Sequence, residues 1–81
     1  MKKYYEILNN LKSFFKYRSY KVDIDLSTPI TKLYLDNIEL EDLTCYLEEY
    51  YKINHNYLKI YNFEGFTIKN LIEQILNFNK R

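Results

Sequence analysis

The hydrophobic residues near the start of the chain recur with the spacing of one face of an α-helix. The apolar positions of this face are Tyr4, Ile7, Leu8, Leu11, Phe14 and Phe15. Their spacing predicts an amphipathic helix over residues 3–17, with the lysines mostly off the apolar side. Apolar and charged residues then alternate from Val22 to Leu26, which predicts an extended segment. Ser27-Thr28-Pro29 predicts a turn or the start of a short helical turn.

Two later segments show the same helical period. Asp36, with Glu39 three residues later, fits a capping box and predicts that a helix over residues 37–52 begins here. Its apolar stripe consists of Leu40, Leu43, Leu47, Tyr50 and Tyr51. Thr67 is the predicted cap of a last helix over residues 68–79. The residues predicted to be buried on that helix are Ile68, Leu71, Ile72, Ile75, Leu76 and Phe78.

Residues 57–66 permit two interpretations. Their apolar positions fit a short helix, which we favour, whereas the stretch 58–68 also fits a hairpin that turns at Glu64-Gly65. A chain of 81 residues is long enough for one domain. The predicted fold is therefore all-α, a small bundle of three long helices plus one short helix in a single domain over residues 1–81. The alternative is an α+β fold with a small hairpin near residues 58–68.

The composition excludes several functional classes. Hydrophobic residues make up 47% of the chain and the net charge is +1, unlike the low hydrophobicity and high net charge of disordered proteins. One Gly cannot form a glycine-rich phosphate loop, and one Cys cannot form an internal disulfide. No stretch reaches the roughly 18 apolar residues of a membrane span, and the first residues lack the apolar run of a signal peptide. We therefore expect a cytoplasmic protein that does not contact a membrane.

The segment over residues 33–51 resembles acyl carrier proteins, whose second helix opens with a Leu-Gly-x-Asp-Ser-Leu motif and continues into Leu-Glu-Glu-x-Phe. Asp36 matches the Asp of that motif, Ile38 its last Leu, and Leu47-Glu48-Glu49-x-Tyr51 the later motif, without a gap. Thr67-Ile68 resembles the opening of the family's last helix. The resemblance extends over nearly the whole chain and implies the carrier type of helical bundle.

Two positions depart from the family pattern. The serine that carries the phosphopantetheine arm in the family is replaced by Asn37, and the glycine of the motif is replaced by Tyr34. An amide nitrogen is not a usable nucleophile for phosphopantetheine transfer, so we expect no attached cofactor. A similar fold does not transfer the function when the reacting group is lost.

Charge is distributed unevenly along the chain. Residues 1–21 hold six Lys/Arg and one acid, whereas residues 36–51 hold six acids and no base. Carrier proteins dock on basic patches of partner enzymes with their second helix, so the resemblance implies that this acidic helix binds a basic partner protein. The alternative is a solvated helix face with acids near the positive end of the helix dipole. Tyr46 lies outside the apolar stripe, so we expect it on an exposed face as a candidate hot spot. The predicted binding surface comprises Asn37, Glu39, Glu41, Asp42, Tyr46 and Glu49.

The basic first segment also contains Tyr4, Tyr5, Tyr17 and Tyr20. Basic and aromatic side chains together can bind single-stranded nucleic acid. Domains that do so are usually strongly basic, and a net charge of +1 argues against this function. We expect instead that this end pairs with the acidic middle of the chain, within the monomer or between copies.

The residues do not indicate an enzyme. Cys45 and His55 have no third group to orient them, and Cys45 is expected to pack as a small apolar group. One Cys and one His are too few for a zinc site, and Ser27 and Thr28 do not stand at a helix start after an Asp. The predicted function is a non-catalytic interaction module such as an inhibitor, an immunity or antitoxin protein, or a regulatory subunit, without metal, cofactor or small-molecule substrate. The alternatives are a carrier protein with an atypical attachment site and a small nucleic-acid-binding protein that uses the first helix.

Overall fold

The computed structural model describes residues 2–17 and 23–79. Its α-helices are α1 (Lys2–Tyr17), α2 (Asn37–Tyr51) and α3 (Ile68–Asn79), and a 3-10 helix spans Ile30–Leu33. These two ranges contain no β-strand, only an isolated antiparallel bridge between Pro29 and Thr67. These elements confirm the prediction of a small all-α bundle. Within the same ranges, no helix combines the length and the apolar character needed to cross a membrane.

The short helix predicted over residues 57–66 is wrong, and the alternative hairpin does not form either. The reason is that a side chain of α3 forms hydrogen bonds with the backbone of this segment, in place of bonds within a helix or hairpin. The Lys59 N–H donates to Gln74 Oε1 at 2.8 Å, and Gln74 Nε2 donates to the Lys59 carbonyl at 2.7 Å. The segment ends in a turn in which the Phe66 N–H donates to the Phe63 carbonyl at 3.0 Å. The short helix of this fold lies instead after Pro29.

The core of the described residues is entirely apolar. The predicted face of α1 is buried from Ile7 to Phe15, and α3 contributes four fully buried residues to the same cluster. Those four are Ile68, Leu71, Ile72 and Ile75. Full burial of one such side chain contributes about 1.5–3 kcal/mol, so the packing of α1 on α3 is a main source of stability.

The loop before α2 is tied to the start of α3. The Ile68 N–H donates to the Thr28 carbonyl and the Lys69 N–H to the Leu26 carbonyl, each at 2.9 Å. These bonds satisfy donors that have no partner within the helix. The predicted cap is confirmed, because Thr67 Oγ1 accepts from the Asn70 N–H at 3.3 Å. The predicted extended segment begins at Val22, which lies outside the described residues, and its described part has no regular structure before a turn at Leu26.

Both ends of α2 are defined by local hydrogen bonds. The predicted capping box is confirmed, since the Glu39 N–H donates to Asp36 Oδ1 at 2.8 Å and the Asp36 N–H donates to Glu39 Oε1 at 2.9 Å. The helix ends at Tyr51, and Lys52 adopts the left-handed conformation with φ 56°. The Ile53 N–H then donates to the Glu48 carbonyl at 2.9 Å, as in a Schellman motif.

Candidate functional site

The solvent-facing side of α2 carries most of the predicted surface. With 100° between successive residues, one exposed stripe is formed by Ile38, Glu41, Asp42, Cys45 and Glu49, and we call it the outer face. Asn37 is exposed beside it as the first residue of the helix. Ile38 is 71% exposed, so the outer face presents an apolar side chain among carboxylates.

The six acids of residues 36–51 fall into two groups. Asp36 and Glu39 form the capping box at the start of α2. Glu48 holds the other end, because its side chain accepts from the Asn56 N–H at 3.2 Å and lies 3.6 Å from His55 Nδ1. The remaining three acids, Glu41, Asp42 and Glu49, are exposed. Glu39, although predicted as a binding residue, therefore has a structural role.

Tyr46 lies in a different place from the one expected. It is half-buried between α1 and α2, with its ring centroid 4.8 Å from that of Phe14. Its hydroxyl donates to Asn10 Oδ1 at 2.6 Å, and Asn10 Nδ2 donates to the Tyr51 hydroxyl at 2.9 Å. The expectation that Tyr46 stands on an exposed face is wrong, because α1 covers part of its ring and binds its hydroxyl.

The two tyrosines at the end of α2 have different environments. Burial raises the pKa of the Tyr51 hydroxyl, and the hydrogen bond from Asn10 acts in the opposite direction. Tyr50 is 59% exposed although the pattern places it in the apolar stripe. Its ring packs against Tyr46 and Tyr51 at centroid distances of 5.7 and 4.8 Å. Tyr50 is thus the exposed aromatic residue of α2, which the helical period alone does not reveal.

A groove runs along the side of α2 that faces the segment after it. Its volume is about 560 Å³, and it is lined by Asn37, Leu40, Glu41, Thr44, Cys45, Glu48, His55 and Ile60. Cys45 is exposed, so the expectation that it packs as an apolar group is wrong. His55 is exposed, and its Nδ1 lies 3.6 Å from Glu48 Oε1. The groove therefore extends the predicted surface with Leu40 and Ile60, which sequence reasoning did not select.

The other residues considered for chemistry have structural partners. Ser27 Oγ and Thr28 Oγ1 donate to Asp25 Oδ1 at 2.7 and 3.2 Å, so both hydroxyls belong to a turn. Hydrogen bonds from Ser27, followed by those from Thr28, lower the pKa of the Asp25 carboxyl. Across residues 2–17 and 23–79, no three His, Cys, Asp or Glu side chains come together as a metal site would require.

The basic residues of α1 point to solvent. Lys2, Lys3, Lys12 and Lys16 are all exposed, whereas Arg18, Tyr20 and Lys21 lie outside the described residues. None of the four lysines forms an ion pair with a carboxylate in the described part of the chain. Tyr4 is half-buried and donates to Glu73 Oε2 at 3.3 Å. Burial, together with the Glu73 carboxylate, raises the pKa of Tyr4.

The geometry thus combines an acidic outer face, an adjoining groove and a separate basic helix surface. Comparisons of the chain with protein-family models, with curated proteins and with solved structures find no match.

Proposed function

We propose that this chain is a non-catalytic protein-interaction module that binds a basic partner protein through the outer face of α2. The observation that carries the proposal is the position of Glu41, Asp42 and Glu49. All three are exposed on one side of the helix, and Glu41 and Glu49 take no part in the hydrogen bonds at either helix end. A cluster of exposed charge of one sign is suited to recognition of an oppositely charged surface.

Charge alone would give a weak complex. An exposed ion pair contributes about 0.2–1 kcal/mol, so three pairs supply specificity and a faster encounter more than affinity. The apolar part of the surface supplies the remaining binding free energy. Ile38 is 71% exposed, and Leu40 and Ile60 line the adjoining groove. An apolar side chain buried by the partner contributes about 1.5–3 kcal/mol. A partner with an apolar ridge flanked by Lys or Arg fits this surface best.

The same proposal holds that the protein is not pantetheinylated. Asn37 occupies the first position of α2, where the carrier proteins that this sequence resembles have their serine. Its amide provides no nucleophile for the arm. The backbone at Tyr34 supports the resemblance, because φ is 52° at the position where the family motif has glycine. The module therefore resembles a carrier in shape and in its acidic helix but not in its chemistry.

The interaction is tested with a double charge reversal, Glu41→Lys with Asp42→Lys. The tagged protein captures partners from a lysate of its source cell, and mass spectrometry identifies the basic protein that is retained. We expect the double variant to lose this protein while its circular dichroism spectrum remains helical. The matched control is Asp23→Lys with Glu64→Lys, which changes the net charge equally at two exposed acids outside α2. Equal capture by both double variants refutes the proposal.

The absence of a pantetheine arm is tested separately. The wild-type protein and the Asn37→Ser variant are incubated with coenzyme A and a phosphopantetheinyl transferase, and their masses are measured. We expect the wild-type mass to stay unchanged. A gain by the wild-type protein of one phosphopantetheine arm would show a carrier with another attachment site. The Asn37→Ser variant reports whether the transferase accepts this fold once the hydroxyl is present.

A further inference from the structure

The exposed side of α1 is the positive counterpart of the outer face. Lysines recur on it at residues 2, 12 and 16, with Tyr5 and Asn9 between them, and we call this stripe the basic face. These positions lie within a quarter-turn of one another on a helix with 100° between residues. The only acid of α1, Glu6, lies at the edge of the stripe and not within it. Tyr5 is 50% exposed and adds an apolar surface.

The acids of the described residues do not neutralise this face. No lysine of α1 pairs with a carboxylate among the described residues. The side chains of the outer face are exposed on α2. The uneven charge predicts that the basic end of the chain pairs with the acidic middle, either within one monomer or between copies. The lysines of α1 do not form the pairing within the monomer. A pairing between copies can use them.

We propose that the basic face of α1 binds the outer face of α2 in a second copy of this chain. The inference rests on the proposed function, because it names an occupant for the same acidic face. The two stripes are long enough to overlap over about three helical turns. At 1.5 Å per residue, the basic face extends about 21 Å and the outer face about 16 Å. Each also has one exposed apolar side chain, Tyr5 and Ile38, at 50% and 71% exposure.

Because the two faces are different surfaces, the contact is head-to-tail. After one contact, the first copy still has an unused outer face and the second an unused basic face, so association continues into a ring or an open series. The contact between two helix faces is small and largely electrostatic, which is typical of weak, transient interfaces. The screening length is about 30 Å at 0.01 M salt and about 3 Å at 1 M. Association is therefore expected at low salt and not at high salt.

Nucleic acid is the other occupant that a basic helix could take. A phosphate backbone would gain from three lysines but would meet an overall charge of only +1 and an acidic α2. The outer face of a second copy offers carboxylates and an apolar side chain together. The observed charges and exposed groups favour the second copy.

The test uses two neutral variants and their mixture. The basic-face variant is Lys2→Gln, Lys12→Gln and Lys16→Gln, and the outer-face variant is Glu41→Gln, Asp42→Asn and Glu49→Gln. Sedimentation velocity is measured at 0.01 M and 1 M salt. We expect the wild-type protein to exceed its monomer mass of 10.1 kDa at low salt only. Each variant alone should remain monomeric.

The mixture gives the decisive result. The outer-face variant keeps a basic α1, and the basic-face variant keeps an acidic α2, so a single complementary pair of faces remains. We expect the equimolar mixture to form a discrete 1:1 complex with twice the monomer mass at low salt. Formation of this complex also shows that both variants are folded. A mixture that stays monomeric overturns the proposal.

Partner capture separates this inference from the proposed function. The basic-face variant should still capture the basic partner protein, and the outer-face variant should not. If wild-type protein is monomeric at low salt while capture behaves in this way, the self-association is refuted and the proposed function stands. If self-association occurs but both variants capture equally, the proposed function fails alone. A monomeric wild-type protein whose α1 binds a single-stranded oligonucleotide overturns self-association in favour of nucleic acid.

Discussion

Replacement of Tyr34 by glycine should stabilise the protein. Tyr34 follows the 3-10 helix with φ 52° and ψ 41°, and its backbone N–H donates to the Thr31 carbonyl at 3.3 Å. In this left-handed conformation a Cβ atom costs about 1–2 kcal/mol. Glycine removes that cost but loses more backbone entropy on folding, about 0.5–1 kcal/mol. The side chain is 85% exposed, so its loss removes little packing. The net gain expected for Tyr34→Gly is about 0.5–1 kcal/mol.

Urea unfolding followed by circular dichroism measures this gain directly. For a domain of this size, a change of 1 kcal/mol moves the melting temperature by about 4–8 °C, so thermal unfolding gives an independent reading. The matched control is Tyr34→Ala, which removes the same ring but keeps the Cβ atom. Stability gained by Tyr34→Gly but not by Tyr34→Ala assigns the effect to the backbone. If the glycine variant is no more stable than the alanine variant, the reasoning from φ is refuted.

Three further perturbations test other parts of the structure. Asp36→Ala should cost about 0.5–2 kcal/mol in urea unfolding, because the capping bond to the Glu39 N–H is lost, and Asp36→Asn should retain most of that stability. The lowered pKa of Asp25 means that its carboxylate stabilises the fold at neutral pH and that this stability is lost as pH falls through the lowered pKa. The wild-type advantage over Asp25→Asn should therefore disappear in acid, and an advantage that grows in acid would contradict the assignment. Asn10→Ala should cost about 1–3 kcal/mol by leaving half-buried hydroxyls unpaired, and it should be less than additive with Tyr46→Phe in a double-mutant cycle.

The long helices could be predicted because their signals lie close together in the chain. The apolar period identifies α1 and α3, and the capping box marks the first turn of α2 within four residues. The segment over residues 57–66 could not be predicted in this way. Its backbone at Lys59 is satisfied by Gln74, fifteen residues away on another helix. A local pattern cannot indicate that a distant amide will replace the hydrogen bonds of a helix or hairpin.

In the candidate site, too, some features follow from the local sequence and others from the packing of distant segments. By itself, the sequence determined that positive charge collects in the first segment and negative charge in α2, and that Asp36 and Glu39 cap this helix. Only the tertiary structure decided which of the polar groups are exposed and which hold other parts of the chain. It assigned Glu48 to Asn56 and the hydroxyl of Tyr46 to Asn10, and it left Glu41, Asp42 and Glu49 on an exposed face. The physical reason is that helical period and capping depend on neighbours in the chain, whereas burial and hydrogen-bond partners depend on how the helices and loops pack together.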